Sequence, residues 1–312
     1  MTRASVALCT YNGARYLRDQ LRSITDQQIP PHEVVICDDA STDDSVNIAE
    51  EFARTAPFKV AIHRNPTRTG TVANFEQAIA LCSGDVIFLA DQDDVWHPEK
   101  IARMLPRFGE ARVACLFTDA RLIDEQGNAM GRTLWQQIGF SVAPHFSFDT
   151  VADRNVATGA TMAFRASLRS LLLPMPKDQP HDWWIVLLTA ATGSAMPIGE
   201  ALIDYRVHRA QQSGAGPQVG SLETWIAASM STGPQSFRDR AHRLELVRDR
   251  LATAGVEIDI DDRIAHLQTR ASMHGFRRPL LVLRELLSGR YFRYSRHVIS
   301  AAKDLLGIAS SR

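Results

Sequence analysis

Carboxylates gather at several places in this chain, each time directly after an apolar run. Asp91-Gln92-Asp93-Asp94 follows Val86-Ile87-Phe88-Leu89-Ala90, Asp38-Asp39-Ala40-Ser41-Thr42-Asp43 follows Val34–Cys37, and Asp119 closes a third run. Like charges held together repel, and a cation is the simplest relief. If extended geometry persists beyond Ala90, Asp91 and Asp93 point the same way. Oxygen ligands at that spacing suit Mg²⁺ or Mn²⁺ shared with substrate phosphates. An acidic turn capping a helix that begins near Pro98 is the competing reading. Asp39 can accept from the N–H of a base or from a ribose hydroxyl, or it can close an Asx turn. A separate carboxylate, Asp182 in Pro180-His181-Asp182-Trp183-Trp184, stands at the start of the apolar helix 185–191. It can take a proton from an attacking hydroxyl or serve as an N-cap, and the two duties are compatible.

The elements that must position these groups alternate between strand and helix. Ser5–Cys9 reads as a buried strand, and Leu17, Leu21 and Ile24 mark the face of the next helix. Val34–Cys37 is a second strand, followed by a helix with Val46, Ala49 and Ala53 inward and Ser41 or Thr42 as its cap. Val60–His63 is a third strand, and Phe75, Ala78, Ile79 and Cys82 form a helical stripe. Val86–Ala90 is a fourth strand; Ile101, Met104, Leu105 and Phe108 repeat the stripe before a fifth strand at Val113–Phe117. Repeated units of this kind build a mostly parallel sheet flanked by helices, an α/β fold. Ligands of such sheets bind beyond the carboxyl ends of the strands. Those ends carry Thr10-Tyr11-Asn12-Gly13 and the acidic clusters. No GxGxxG or GxxxxGK[ST] turn follows the first strand, which argues against a dinucleotide or P-loop site.

With 312 residues, 45% hydrophobic and 22% charged, the chain can bury a sizeable core, and wholesale disorder is excluded. A formal charge of zero argues against a dedicated nucleic-acid binder. The four cysteines form no CxxC pair, as expected of reduced thiols in a cytoplasm. No apolar run approaches the ~20 residues of a spanning helix, and Met1-Thr2-Arg3 leads straight into the first strand without a leader. A cytoplasmic protein is therefore expected. The neutral total conceals an asymmetry. From Arg270 onward nine Lys/Arg face only Glu285 and Asp304, so the tail carries +7 and the rest of the chain −7. Arg290, Arg293 and Arg296 interleave with Tyr291, Phe292 and Tyr294. That mixture suits an anionic membrane surface, or else a packed helical subdomain with a solvated basic face.

Three motifs in order bring a family into view: Val6-Ala7-Leu8-Cys9-Thr10-Tyr11-Asn12, Val35-Ile36-Cys37-Asp38-Asp39-Ala40-Ser41-Thr42-Asp43, and Gly84-Asp85-Val86-Ile87-Phe88-Leu89-Ala90-Asp91-Gln92-Asp93-Asp94. Residues 4–119 resemble glycosyltransferase family 2, enzymes of the GT-A fold that use nucleotide-sugar donors. Asp-Gln-Asp-Asp-Val-Trp with Asn74-Phe75 upstream is most similar to the rhamnosyltransferase-type members. The resemblance implies that Thr10 and Asp39 hold a pyrimidine base, Asp39 at the ring N–H. It places Asp91 near the ribose or metal and has Asp93 chelate Mg²⁺ or Mn²⁺ bridging the diphosphate. The family often has Asp-Ala-Asp here; Gln92 in the middle leaves the metal-binding pair intact. Asp182 matches the catalytic base. His208 matches a histidine that approaches the metal or diphosphate, with Arg206 or Arg209 neutralising phosphates and Arg206 alternatively a contact to the acceptor or donor sugar.

Asn155–Met162 resembles the loop and strand beneath the two sugars, where Gly159 permits close backbone approach; an ordinary strand entry is the alternative. Trp183 offers a sugar-stacking face, and its neighbour Trp184 then belongs to the core, because consecutive helical residues diverge. Gln211–Pro217 reads as a lid. The expectation is a GT-A catalytic domain over 1–216 and a helical extension over 217–312, possessing an inverting, metal-dependent transferase activity. The donor expected is a dTDP- or UDP-sugar, dTDP-rhamnose first, and the acceptor a glycan or lipid-linked precursor of a surface polysaccharide, at the inner face of the cell membrane. The alternative is a non-catalytic nucleotide-sugar or glycan-binding protein, but a binder has no need of a base. A metal-dependent phosphohydrolase lacks its DxDx[TV] motif after the first strand.

Overall fold

The computed structural model describes residues 2–142, 146–208, 233–295 and 297–307. The chain divides into two compact units, Met1–Gln212 and Ser213–Arg312. The expected boundary at 216/217, the lid at 211–217, Arg209 and Arg296 lie outside the described residues.

The first unit is built on one sheet. Its strands are β1 (Ala4–Thr10), β2 (Glu33–Asp38), β3 (Lys59–Arg64), β4 (Val86–Asp91), β5 (Val95–Trp96), β6 (Cys115–Ile123), β7 (Ala129–Thr133), β8 (Met162–Arg165) and β9 (Ala195–Arg206). They run in the order β3-β2-β1-β4-β8-β6-β9-β5, with β7 beside β6. β1 to β4 are mutually parallel. β1 and β2 are buried along their whole length, as interior parallel strands covered on both faces must be. The fifth strand departs from expectation. It spans Cys115–Ile123, and β8 lies between it and β4, antiparallel to both. The sheet is therefore mixed. β8 is four residues preceded by a single 3-10 turn, too short to stand out by periodicity.

Helices α1 (Ala14–Thr25), α2 (Ser45–Thr55) and α3 (Thr71–Leu81) connect the parallel strands. α1 buries Leu17, Leu21 and Ile24, and α3 buries Phe75, Ala78 and Ile79. α2 differs from the expected register: Ser45, Ile48 and Ala49 are its buried face, and Val46 and Ala53 are half-buried. Its N-cap is Asp44 rather than Ser41 or Thr42. Those two residues are occupied by the neighbouring loop, as described below. The unit continues with α4 (Lys100–Met104), α5 (Leu134–Ile138), α6 (Phe148–Asp153), α7 (Arg169–Leu172) and α8 (His181–Ala191). All four cysteines are free and buried.

The second unit holds α9 (Pro234–Thr253), α10 (Asp261–Ala271), α11 (Arg278–Leu287), α12 (Arg290–Tyr294) and α13 (His297–Leu306). α9 turns Leu244, Val247 and Leu251 inward, and α10 turns Ile264 and Leu267 inward. The basic tail is not the solvated comb that its sequence suggests. Arg270 pairs with Asp304 at 2.7 Å, Arg290 with Asp262 at 2.7 Å and Glu285 at 3.3 Å, and Arg293 with Asp262 at 3.1 Å. Tyr291 is fully buried and donates its hydroxyl to Asp304. Of the residues expected to face a membrane, Tyr291 and Arg290 are thus drawn into an internal network, whereas Phe292 and Arg293 stay exposed.

Gly84, at the entry to β4, shows how tightly the chemistry-bearing strand is seated. A Cβ there would lie 2.6 Å from Ser5 Oγ, 2.8 Å from Arg3 O and 2.9 Å from Ser5 N. Two of these are backbone atoms of β1 and its approach, so they cannot swing aside. Gly84→Ala should therefore cost about 1–3 kcal/mol through overpacking, read as a lowered urea midpoint with an unchanged slope.

Candidate active site

The parallel strands end level with one another. Thr10 pairs with Asp38 across β1–β2, and Cys9 pairs with Asp91 across β1–β4. Their exits therefore meet along one edge. The loops after β1 and β2 are laced together: Asn12 N–H donates to Ser41 Oγ at 2.9 Å, Thr42 N–H to Asn12 Oδ1 at 2.9 Å, and Gly13 N–H to Ser45 Oγ at 2.8 Å. Asn12 and Ala40 both hold positive φ, 48° and 62°. For Ala40 this left-handed geometry carries a strain of about 1–2 kcal/mol. It immediately follows Asp39.

Asp39 is buried and organises the loop ahead of α3. Its Oδ1 accepts from Thr69 N at 2.7 Å, Thr69 Oγ1 at 2.8 Å and Asn65 Nδ2 at 3.0 Å, and its Oδ2 from Gly70 N at 2.9 Å. Burial pushes its carboxyl up, but these donors prevail and hold it below the ordinary carboxylate value. Asn74 completes the cluster, accepting from Asn65 and donating to Cys37 O at 2.8 Å. Asp39 thus keeps its charge, with three of the four hydrogen bonds on Oδ1 and one on Oδ2.

Thr10 is buried, and its hydroxyl donates to Gln92 Oε1 at 2.7 Å. The same oxygen accepts from Tyr11 N at 2.8 Å, while Gln92 Nε2 donates to Tyr11 O at 3.2 Å. A Cβ at Gly13 would fall 2.1 Å from that oxygen, so only glycine lets the carboxamide in. Gln92 therefore clamps the β1 loop to the acidic loop after β4. Gln92 stands where the family often has Ala, and that departure is the sequence signal for the clamp.

The acidic loop is crowded and largely dry. Asp93 Oδ2 lies 2.8 Å from His208 Nε2, with both side chains largely buried. His208 also meets Tyr16, ring centroids 4.9 Å apart. Burial pushes Asp91 up to about 7, helped by the charges of Asp93 and Asp182 and opposed by Lys100. Asp94, fully buried, is raised by the same desolvation and by Asp93 and Asp91. Lys100 lies close enough to oppose this rise, while its own burial lowers its pKa well below the ordinary lysine value, against the charges of Asp94 and Asp91. Lys100 is fully buried, donates to Ala160 O at 2.6 Å and sits over the Trp96 ring at 3.7 Å. Arg206 is buried too. Its Nε donates to Asp93 O at 2.9 Å, its backbone N–H to Asp94 Oδ1 at 3.1 Å, and its guanidinium lies over Tyr16 and 3.4 Å from Asp19. Arg206 therefore braces the acidic loop against β9.

Asp182 occupies the first turn of α8 and is half-buried; Pro180, not Asp182, is the N-cap. N-cap duty is thus not what places this carboxylate, and its field reaches Asp91. Trp184 is core, donating to Leu172 O at 2.9 Å, and Trp183 is half-buried with its Nε1 donating to Val151 O at 2.6 Å. Gly159 makes room for a side chain: a Cβ there would lie 2.6 Å from His181 Nε2. His181 stacks on Phe75 at 4.2 Å, and burial lowers its pKa. His181 thus seats the start of α8 and with it Asp182.

This is one rim carrying Asp39, Asp91, Asp93, His208 and Asp182 on a mixed α/β sheet. A family model for glycosyl transferase family 2 matches residues 5–172. The chain belongs to that family. Among similar proteins, an uncharacterized glycosyltransferase from Nostoc is 28% identical over 219 residues, 66% of this chain and 65% of that protein. The chondroitin synthase of Escherichia coli is 34% identical over 125 residues, 40% of this chain and 18% of its own length. A dTDP-rhamnosyl transferase from Shigella flexneri is 37% identical over 98 residues, 30% of this chain and 34% of that one. The chain thus spans less than two thirds of the length of these relatives. Staphylococcus aureus TarS, solved with UDP-GlcNAc, superposes with a TM-score of 0.60 at 17% identity, over 99% of this chain and 82% of TarS. A mannosyltransferase from Pyrobaculum calidifontis, solved with GDP-Man and Mn²⁺, gives 0.54 at 17% identity, over 99% and 86%. These likenesses establish the GT-A fold.

As to a metal, no group of three or more His, Cys, Asp or Glu side chains is assembled among the described residues of this family 2 chain. Asp93 and His208 are the pair that come together. Two protein ligands suit a cation that takes its remaining ligands from phosphate oxygens and water, so the residues present fit Mg²⁺ or Mn²⁺.

Gln92→Ala would leave Tyr11 N–H and C=O without their partner in a part-buried loop. Stability should fall by about 1–3 kcal/mol, and nucleotide affinity should fall with it. Urea unfolding and nucleotide titration of the same variant check both; a loss of stability with unchanged affinity would detach Gln92 from the binding site.

Proposed function

We propose that this protein is an inverting glycosyltransferase that moves a sugar from a nucleoside-diphosphate donor to a glycan hydroxyl. The observation that carries the reading is the convergence, in a family 2 chain, of the Asp93–His208 pair with Asp91 and with a separate carboxylate, Asp182, at one rim. Asp39 binds the base N–H through Oδ2, and the loop held by Thr10 and Gln92 shapes the nucleotide pocket beside it. Asp91 faces the ribose. Asp93 and His208 would hold Mg²⁺ or Mn²⁺, which when bound supplies positive charge to the leaving diphosphate. Asp182 takes the proton from the acceptor hydroxyl as its oxygen forms the new bond to the anomeric carbon; the bond from that carbon to the diphosphate oxygen breaks, and the nucleoside diphosphate leaves. Trp183 and the Gly159 turn border the sugars.

Within this reading the favoured donor is dTDP-rhamnose, supported by the Asp-Gln-Asp-Asp-Val-Trp pattern and by the likeness to a dTDP-rhamnosyl transferase. The favoured acceptor is a surface-polysaccharide precursor. Residues 1–216 act as the catalytic domain and 217–312 as a helical extension.

The direct test is a thermal-shift screen of nucleotide sugars with and without Mn²⁺, because a ligand that binds only the native state raises its stability. dTDP- and UDP-sugars should stabilise the protein more with the ion than without it. Asp93→Ala should remove that metal-dependent increment and abolish transfer while the protein stays folded, since losing one carboxylate relieves the crowding around Asp91 and Asp94. Asp182→Asn keeps the shape but cannot accept the proton, so kcat should fall roughly 10²–10⁴-fold at nearly constant donor affinity. A parallel loss of nucleotide binding and turnover would make Asp182 a structural residue.

A further inference from the structure

The C-terminal unit has an apolar face that its own core does not use. α11 is apolar on two sides. Val282, with Leu281 and Leu286, packs inward on Met273, Tyr291 and Ala301. Leu280, Leu283 and Leu287, at i, i+3 and i+7, form a second stripe that faces outward, continued by Phe276 in the turn before the helix. Phe276 is 90% exposed and Leu287 80%. α13, which packs on α11, exposes Ile299 and Leu306 in the same way. A helix with one apolar face needs one neighbour; a second apolar face calls for another apolar medium.

Along the segment that forms this face the exposed charges are basic. From Arg270 to Gly307 the only carboxylates are Glu285 and Asp304. Both are turned into the unit, Glu285 onto His266 at 2.7 Å and Asp304 onto Arg270 and Tyr291. Arg277 and Lys303 are exposed, and no ion pair engages either of them or Arg278 among the described residues. The inward pairing of the acids thus leaves a surface of leucine and phenylalanine rimmed by cations.

We propose that this face docks on an anionic lipid bilayer, with the α11 stripe in the interface and Arg277 and Lys303 at the headgroups. A second copy of the chain is the poorer occupant, because a two-fold contact would set the cationic rim against itself. Headgroup phosphates neutralise it instead. No helix among the described residues is long and apolar enough to cross a membrane, so the contact is peripheral. The proposal is independent of the transfer reaction and says where the protein sits.

The test uses the full chain and sedimentation with vesicles of phosphatidylglycerol and phosphatidylcholine, against phosphatidylcholine alone. The parent should sediment with the anionic vesicles and be released as salt rises. Leu280→Ser/Leu283→Ser/Leu287→Ser should weaken binding on the order of tenfold or more with an unchanged unfolding midpoint, since these side chains are already in water. Arg277→Gln/Lys303→Gln should weaken binding to the anionic vesicles only. Failure of the parent to sediment with anionic vesicles, or full binding by the leucine variant, overturns the proposal. So does a parent that ignores vesicles yet forms a dimer that the leucine variant dissociates; the face would then belong to a second copy.

Discussion

Asp91, Asp93 and Asp94 are held together at the dry end of β4, and much of the first unit is arranged around the cost of that crowding. Carboxylates in a low-dielectric setting favour protonation, which is why Asp91 is pushed up to about 7. The protein answers from several directions. Lys100 comes from α4, lends a coulombic pull on Asp91 and Asp94, and donates to Ala160 O in the turn that leads into β8. Arg206 comes from the end of β9 and holds both the Asp93 carbonyl and the Asp94 carboxylate. The elements that break the βα rhythm are thus fastened to the parallel half of the sheet through its acidic loop. The remaining imbalance of charge is what a cation shared with a diphosphate would complete.

The nucleotide side of the rim follows a different rule. There Asp39 stays ionised because four hydrogen bonds from Thr69, Asn65 and Gly70 outweigh its burial. Gln92 joins the two sides, touching Thr10 and Tyr11 from a position between Asp91 and Asp93. One carboxamide thereby couples the loop proposed to shape the base pocket to the loop proposed to offer the metal ligands. Such coupling lets a 1 Å shift at one side be felt at the other, a sensitivity expected wherever reaction depends on alignment.

The C-terminal unit solves its charge problem by inversion. In its segment from Arg270 to Gly307 the two acids, Glu285 and Asp304, are inside, paired with His266, Arg270 and Arg290, and Arg277 and Lys303 are outside. Burying ion pairs contributes little net stability, since desolvation offsets most of the attraction. The consequence is a sorted surface, apolar and basic, from a segment whose sequence merely looks mixed.

The local pattern of the chain determined the parallel half of the sheet, because buried strands read as continuous apolar runs and their helices as regular stripes. It also determined the rim, because the loops that follow such strands are the places where Asp38, Asp39, Asp91 and Asp93 fall together. Pairing partners far apart in sequence were decided only by tertiary structure. No periodicity announces that Met162–Arg165 inserts antiparallel between β4 and β6, that Arg206 donates to the Asp93 carbonyl, or that Gly159 makes room for His181. The tail makes the same point with charge. Its composition announced cations, but which of them stay in water depends on where Asp262, Glu285 and Asp304 arrive in space. Hydrophobic periodicity is a property of neighbours along the chain, whereas the satisfaction of a buried charge is a property of neighbours in the fold.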